Sequence, residues 1–298
     1  MPTESSVSDI ASSIETATGV AFSPSRHFPV SGGDINRALV LEDGERRFFV
    51  KVNRAGLLPM FEAEAEGLAE LAATGAVRAP AVVAVGSDDD SAWLVLEYVE
   101  LQPLREPAAG RLGEALARLH AIRQPFYGWH RDNTIGTTPQ PNPREHDWPA
   151  FFRRYRLEHQ LSLAERNGYG GHLQSLGQQL IECIPAFFTS YTPQPSLLHG
   201  DLWGGNAAMD EDARPWLYDP AVYYGDRESD LAMTELFGGF GPAFRAAYEA
   251  EWPLDPDYCV RRDLYQLYHV LNHLNLFGGS WAGSAKRLME RLLAEAAG

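Results

Sequence analysis

The chain lacks several features that would each commit it to a class. It has 2 cysteines in 298 residues, Cys183 and Cys259. Neither sits in a metal-ligand or redox spacing, so both read as core thiols and a disulfide framework is excluded. No apolar run reaches the roughly 18 residues a membrane helix needs. Residues 1–9 lack the basic and apolar regions of a secretory signal, so a cytoplasmic setting is expected. Basic residues are scarce, with 25 Lys and Arg against 40 Asp and Glu, a formal net charge of −15. No basic run reverses that sign locally, which excludes nucleic acid and anionic membrane as partners. A nucleotide is not excluded, because a divalent cation and one lysine neutralise phosphates in a closed site. The charge mildly favours a neutral or cationic acceptor. No repeat or low-complexity segment occurs. What is present is ordinary globular composition, 45% hydrophobic and 22% charged, enough for a large core in one domain or two lobes.

The most informative stretch is His199-Gly200-Asp201-Leu202-Trp203-Gly204-Gly205-Asn206, followed by Asp219. An Asp in a glycine-rich loop is commonly a turn former. Here, however, an amide follows five residues after the acid, and Pro215-Trp216-Leu217-Tyr218 reads as a short strand ending on a second acid. This arrangement resembles the catalytic constellation of eukaryotic-type kinases. There Asp201 would accept the proton of a substrate hydroxyl, while Asn206 and Asp219 would hold Mg2+ on the triphosphate of ATP. Hard oxygen ligands suit that ion, and Gly204-Gly205 permit the tight path.

Upstream, Val7, Ile10 and Ile14 fall at helical spacing, and Gly19 stops the helix. Gly32 and Gly33 lie in a turn between extended stretches, where they serve either a phosphate-covering loop or an ordinary hairpin; the stretch is not GxGxxG. Asp43-Gly44 is a hairpin turn between strands expected at 38–41 and 47–52. In the second strand Phe48, Val50 and Val52 share one face, and Phe49 and Lys51 the other. Alone, Lys51 would read as an exposed strand lysine. A helix over 58–73 changes that reading. Phe61, Ala65, Leu68, Leu71 and Ala72 make its apolar stripe, and Glu62, Glu66 and Glu70 read as a solvated face. Glu64 falls inside the apolar arc, where an unpaired carboxylate is costly. Lys51 and Glu64 are therefore expected to pair, with Lys51 on the α- and β-phosphates. Strands at 81–85 and 92–99 follow. Glu97, Tyr98 and Val99 open a hinge at 97–103 whose backbone would meet adenine, an expectation from position alone.

Beyond residue 100 the pattern is helical. Leu112, Leu116 and Leu119 define a helix ending near His120, which reads as a structural histidine. Residues 124–142 form an ordered loop rich in aromatic, Gly and Pro residues. Helices are expected at 148–165, whose arginines 153, 154 and 156 read as a solvated basic face, at 171–186, 230–236, 242–249, 257–277 and 284–297. Asp230 reads as a cap or buttress of the site. The expected fold is α+β and bilobal, with a small β-rich lobe at 1–100 and a larger, mostly α-helical lobe at 101–298.

His199-Gly-Asp-Leu-Trp-Gly-Gly-Asn206 and the run from Tyr218 to Phe240 resemble the fructosamine-3-kinase (ketosamine-3-kinase) family. That family belongs to the aminoglycoside-phosphotransferase branch of the protein-kinase-like fold. Phe49-Val-Lys-Val52, Met60-Phe-Glu-Ala-Glu64, Gly128-Trp129, Asp132-Asn133 and 135–142 support the match, which spans almost the whole chain. The resemblance implies ATP- and Mg2+-dependent phosphorylation of the sugar 3-hydroxyl of a free or protein-bound ketosamine. The 3-phosphate then eliminates and frees the amine. It carries over Asp201 as base, Asn206 and Asp219 as metal ligands, Lys51 with Glu64 as phosphate clamp, and Trp203 as a sugar platform, against a plain core role for that indole. Two departures matter. Where some relatives carry a redox-sensitive Cys in the glycine-rich loop, this chain has Asp34, so no disulfide-linked dimer is expected. Asp219 is followed by Pro220-Ala221 rather than Phe-Gly, which argues against a protein kinase controlled by activation-loop phosphorylation. Two alternatives remain at this level: a kinase for another small hydroxylated amine, such as an aminoglycoside, and a nucleotide-binding pseudokinase.

Overall fold

Five segments with alternating apolar residues build one antiparallel sheet. They are β1 (Arg26–Val30), β2 (Arg37–Asp43), β3 (Arg46–Arg54), β4 (Val82–Ser87) and β5 (Ser91–Glu97), in the order β1-β2-β3-β5-β4. The computed structural model describes residues 4–30 and 35–297. Gly32, Gly33 and Asp34 therefore lie outside the described residues. The β2–β3 hairpin turns on Gly44, whose φ of 61° suits glycine. Helix α1 (Glu4–Thr18) covers one sheet face, where Ile10 and Ile14 pack with Val50, Val52 and Val95. Helix α2 (Leu58–Ala73) covers the other, where Phe61, Leu68 and Leu71 join Leu94 and Leu96. The period-two alternation of β3 puts Lys51 on the α2 side.

The polar side of α2 is solvated only in part: Glu62 is exposed, whereas Glu66 and Glu70 are half-buried against other segments. Glu70 accepts hydrogen bonds from Trp129 Nε1 at 2.6 Å and from the Tyr224 hydroxyl at 2.9 Å. Glu66 meets Arg131 and His130, each at 2.7 Å. Glu62 lies 3.8 Å from Arg131. Helical periodicity separates a polar stripe from an apolar one, but it does not reveal that a polar loop arriving from the second half of the chain will dock there.

The rest is mainly helical. β6 (Gln102–Pro103) leads to α3 (Ala108–His120), and a loop carries the short hairpin β7 (Asn133–Ile135) and β8 (Thr138–Gln140). The expected helix at 148–165 is α4 (Trp148–Phe152), a π-helical segment Arg153–Glu158, and α5 (His159–Arg166). The wider π turn carries Arg156 inward, out of the basic face expected for it. Its guanidinium lies 4.1 Å from the Tyr223 ring and 4.7 Å from that of Phe151, and donates to Pro141 O and Asn142 Oδ1, both at 2.7 Å. After α6 (His172–Cys183) come β9 (Ser196–Leu198), β10 (Ala207–Met209), β11 (Pro215–Leu217) and β12 (Tyr223–Gly225). The chain continues through α7 (Glu228–Leu236), α8 (Pro242–Glu251), α9 (Tyr258–Phe277) and α10 (Ser280–Ala297). Cys183 is half-buried, but Cys259, in the first turn of α9, is exposed rather than a core thiol; both are free. Among the described residues no helix is long and apolar enough to cross a membrane.

The main core runs without a break from α2 through α3 to α9. Its tightest helix crossing is α3 on α8, where a Cβ on Gly113 would come 2.2 Å from Phe244 O and 3.0 Å from Tyr248 N. Gly113→Ala must push two helix backbones apart and should cost about 1–3 kcal/mol. A urea melt checks this, and an unchanged midpoint would mean that the crossing can relax at no cost.

Candidate active site

Two short strand pairs bring the motif residues together. Leu198 in β9 pairs with Tyr223 in β12, so both ends of the segment 199–222 are pinned side by side. Inside it, Ala207 in β10 pairs with Leu217 in β11, and Tyr218 N donates to Asn206 O at 3.1 Å. This inner hairpin begins just after Asn206 and ends just before Asp219, which sets the two side chains next to each other although they are distant in sequence.

The loop between the pairs is held by buried polar groups. Asp230, on α7, accepts the backbone N–H of His199 at 2.7 Å and of Gly200 at 2.8 Å, and faces His120 Nε2 at 3.2 Å. Burial would raise this carboxyl, but those donors outweigh it and hold it below its ordinary range. The His120 Nδ1 side meets the Tyr248 hydroxyl at 2.8 Å, which makes His120 a support. His199 is buried and kept neutral; its Nε2–H donates to Tyr218 O at 3.0 Å and its Nδ1 accepts from Asp201 N at 3.3 Å. One ring thus ties the segment bearing Asp201 to the segment bearing Asp219. Gly200 has φ 84°, and a Cβ there would sit 2.0 Å from Ala221 O, so the close crossing of these two segments requires glycine.

The functional groups converge on this frame. Asn206 Nδ2 donates to Asp201 O at 2.8 Å and to Asp201 Oδ2 at 3.2 Å. Burial, then the charge of Asp219, push the Asp201 carboxyl up to about 7. Asp219 adopts a left-handed φ of 58°, tolerated better by Asp than by most residues. Lys51 Nζ lies 2.5 Å from Glu64 Oε1 and 2.6 Å from Asp219 Oδ1. Burial alone would lower the lysine, but Asp219 and Glu64 overcome it and hold the ammonium above its ordinary value. Glu64, Lys51, Asp219, Asn206 and Asp201 therefore lie close together, linked by side-chain hydrogen bonds and the inner hairpin. The contact between Lys51 and Asp219 had no signal in the spacing.

The donor set suits a hard divalent cation. The Asn206 amide nitrogen is committed to Asp201, which leaves its oxygen, and one Asp219 oxygen is free of Lys51. Among the described residues no cluster of three or more His, Cys, Asp or Glu side chains is arranged for a metal. An ion here would take most of its ligands from phosphate and water, as Mg2+ does.

Trp203 is 38% exposed, and its ring meets Phe237 edge-on at 5.6 Å. Gly205 makes room for the indole, since a Cβ there would lie 2.3 Å from the ring. Phe237 in turn touches His273 at 5.2 Å and Trp281 at 6.1 Å, which gives an open aromatic wall beside the loop. Glu97, Tyr98 and Val99 stand outside the Lys51–Asp201 group. Glu97 ends β5, its N–H donating to Ala81 O at 2.9 Å and its carboxylate accepting from Ala81 N at 2.8 Å. Tyr98 lies under the Arg47 guanidinium at 4.3 Å, and Val99 follows on the crossing to β6.

Sequence reasoning passed over two groups. One is the amide cluster of Asn133, Gln140 and Asn142, whose members donate to Val222 O, Ala221 O and Asn133 Oδ1 and so brace the segment after Asp219. The other is His269 on α9, whose Nδ1 lies 4.0 Å from Asp201 Oδ1. Its signal was available: His269 and His273 stand one turn apart in an otherwise largely apolar stretch of that helix.

Comparison with known proteins agrees with this arrangement. The chain is 44% identical over 285 residues to a provisionally named ketoamine kinase of Synechocystis sp., covering 95% of this chain and 96% of that one. A provisionally named fructosamine-3-kinase from Haemophilus somnus superposes with a TM-score of 0.88 at 28% identity, covering 95% and 96% of the two chains. An aminoglycoside phosphotransferase, APH(4)-Ia, shares the fold at a TM-score of 0.65 and 18% identity, covering 97% and 99%. The fold is thus the α+β, protein-kinase-like one. The sequence model of the fructosamine kinase family matches residues 6–295, and on that match this chain belongs to the fructosamine kinase family.

Proposed function

We propose that the protein is an ATP-dependent ketosamine 3-kinase that works in the cytoplasm. The observation that carries the proposal is the joining of Lys51 to both Glu64 and Asp219 beside a loop that presents Asp201 and Asn206. These are the groups phosphoryl transfer needs, from two distant parts of the chain. In this reading the nucleotide lies between a lobe at 1–100 and a lobe at 101–298. Its adenine meets the backbone at Glu97, Tyr98 and Val99. Lys51, oriented by Glu64, contacts the α- and β-phosphates. Asn206 and Asp219 would hold Mg2+, which would offset the negative charge that develops on the phosphates.

The acceptor lies on the other side of Asp201, against Trp203. Asp201 takes the proton of the sugar 3-hydroxyl as that oxygen bonds to the γ-phosphorus and the bond to the ADP oxygen breaks. Elimination of the 3-phosphate then leaves an unsaturated imine, and water hydrolyses its C=N bond to free the amine, which amounts to deglycation. The open wall of Trp203, Phe237 and His273 suits the apolar face of a sugar and a pendant amine. Family membership favours a ketosamine over an aminoglycoside as acceptor.

A coupled assay with fructosyl-lysine and ribulosyl-lysine, with kanamycin and choline as controls, tests the acceptor, and phosphorus NMR places the phosphate. A 3-phosphate on a ketosamine is expected; turnover of kanamycin alone would overturn the assignment. Asp201→Asn should lower turnover by about 10²–10⁴-fold while ATP still binds, as expected for loss of a general base. An active variant would remove Asp201 from that role. Lys51→Ala should raise KM for ATP and lower kcat together, and unchanged kinetics in a folded variant would break the clamp assignment.

A further inference from the structure

His269 is a strongly buried group close to the proposed base, and it has no stated task. It is 3% exposed, and its Nδ1 has no hydrogen-bond partner among the described residues. A buried imidazole nitrogen without a partner forfeits a hydrogen bond that water would have supplied, and such groups call for an explanation. Burial, then His273 and Arg156, hold the ring far below the histidine range, to about 3, so it stays neutral. Asp201 Oδ1 lies 4.0 Å from Nδ1, too far for a direct hydrogen bond. The field of that carboxylate favours the tautomer with the proton on Nδ1. The ring is thus a neutral donor aimed toward the base with nothing to donate to.

Two atoms 4.0 Å apart can share one oxygen that sits beside the line between them. An oxygen at about 2.7–2.8 Å from both Asp201 Oδ1 and His269 Nδ1 would be reached at an angle of about 90–95°, open enough for a hydroxyl that donates to one and accepts from the other. The Asp201 oxygens are already sorted for this, because Asn206 engages Oδ2 and leaves Oδ1 on the His269 side. One turn along α9, His273 joins the aromatic wall through Phe237 and Trp281.

Resting on the ketosamine reading, we infer that His269 is a substrate-binding residue whose Nδ1–H holds the reacting 3-hydroxyl oxygen of the acceptor while that hydroxyl donates to Asp201. The two contacts leave one lone pair to face the γ-phosphorus. The hydroxyl proton goes to Asp201 as before, and His269 keeps its own proton throughout. His269 selects and orients the hydroxyl and has no part in nucleotide binding.

The test compares His269→Phe, which keeps ring volume and loses the donor, with His269→Asn, whose amide N–H stands near the position of Nδ1. With fructosyl-lysine, His269→Phe should lower kcat/KM for the acceptor by about 5–150-fold. KM for ATP should stay within about two-fold, as expected for a residue that touches only the acceptor. His269→Asn should recover most of the loss. A Phe variant as active as the parent, or an Asn variant no better than Phe, overturns the inference, because a role in filling space would be met by Phe and not by Asn. Calorimetric binding of the 3-deoxy ketosamine to the parent protein gives a readout without turnover or folding risk. Removing the 3-hydroxyl should weaken binding about ten-fold, and equal affinity would overturn the inference. A parent protein that phosphorylates no ketosamine overturns this inference and the proposed function together, whereas an active parent with an unaffected Phe variant overturns this inference alone.

Discussion

One ammonium shared by two carboxylates sets the terms for the rest of the structure. Lys51 comes from the sheet, Glu64 from α2 and Asp219 from the far side of the chain, and all three meet within 2.6 Å contacts. Removing Lys51 would leave two carboxylates with no cation between them, whereas removing either carboxylate would leave the ammonium paired with the other. The triad therefore works as a registration mark between the halves of the molecule. It also leaves the site short of positive charge. Asp219 and Glu64 share a single lysine, and burial, then the charge of Asp219, raise Asp201 toward neutrality. A cation arriving with a nucleotide would supply what the protein withholds, so the charge deficit and the proposed chemistry have the same origin.

The site is held by buried polar supports. Asp230 spends its carboxylate on two backbone N–H groups and a histidine, and Arg156 is ringed by aromatic faces and bonded to Asn142. The amide cluster at Asn133, Gln140 and Asn142 fills a region where an unpaired group would cost about 1–3 kcal/mol, and Tyr268 caps it through Gln140 at 2.6 Å. Against this background an unpartnered nitrogen on His269 stands out. Arg156 Nε, Ser196 Oγ and Ser229 Oγ also lack partners among the described residues, but it is His269 Nδ1 that lies 4.0 Å from Asp201 Oδ1.

Much of this was legible in the sequence, and what was not has a physical reason. α2 follows from its apolar stripe, and the placement of Lys51 opposite the Phe48, Val50, Val52 face follows from strand alternation. Both signals are local and periodic. Lys51 was more conspicuous than its strand suggested, since Lys51 and Lys286 are the only lysines in a chain that otherwise uses arginine. Three things could not be read locally. Periodicity marks Glu62, Glu66 and Glu70 as polar, but their partners come from a loop some sixty residues later. Arg156 looks like part of a basic surface until a π turn rotates it inward. Cys259 was expected in the core because thiols usually are, but its place in the first turn of α9 faces outward.

The docking of α2 has a consequence for how the site operates. In a kinase regulated by helix movement, the glutamate that pairs with the lysine must be able to leave. Here the helix carrying Glu64 is fastened on its other side by Glu70 to Trp129 and Tyr224, and by Glu66 to His130 and Arg131. Its apolar side shares one continuous core with α3 and α9. Swinging α2 outward would break both sets of contacts at once. The segment after Asp219 is equally committed, since Ala221 N bonds His199 O at 2.8 Å and β12 pairs with β9 within a few residues. Neither element that a switchable kinase moves is free to move alone. The geometry therefore favours a site that stands assembled before its substrates arrive, with selectivity residing in the acceptor side of the cleft rather than in a regulatory rearrangement.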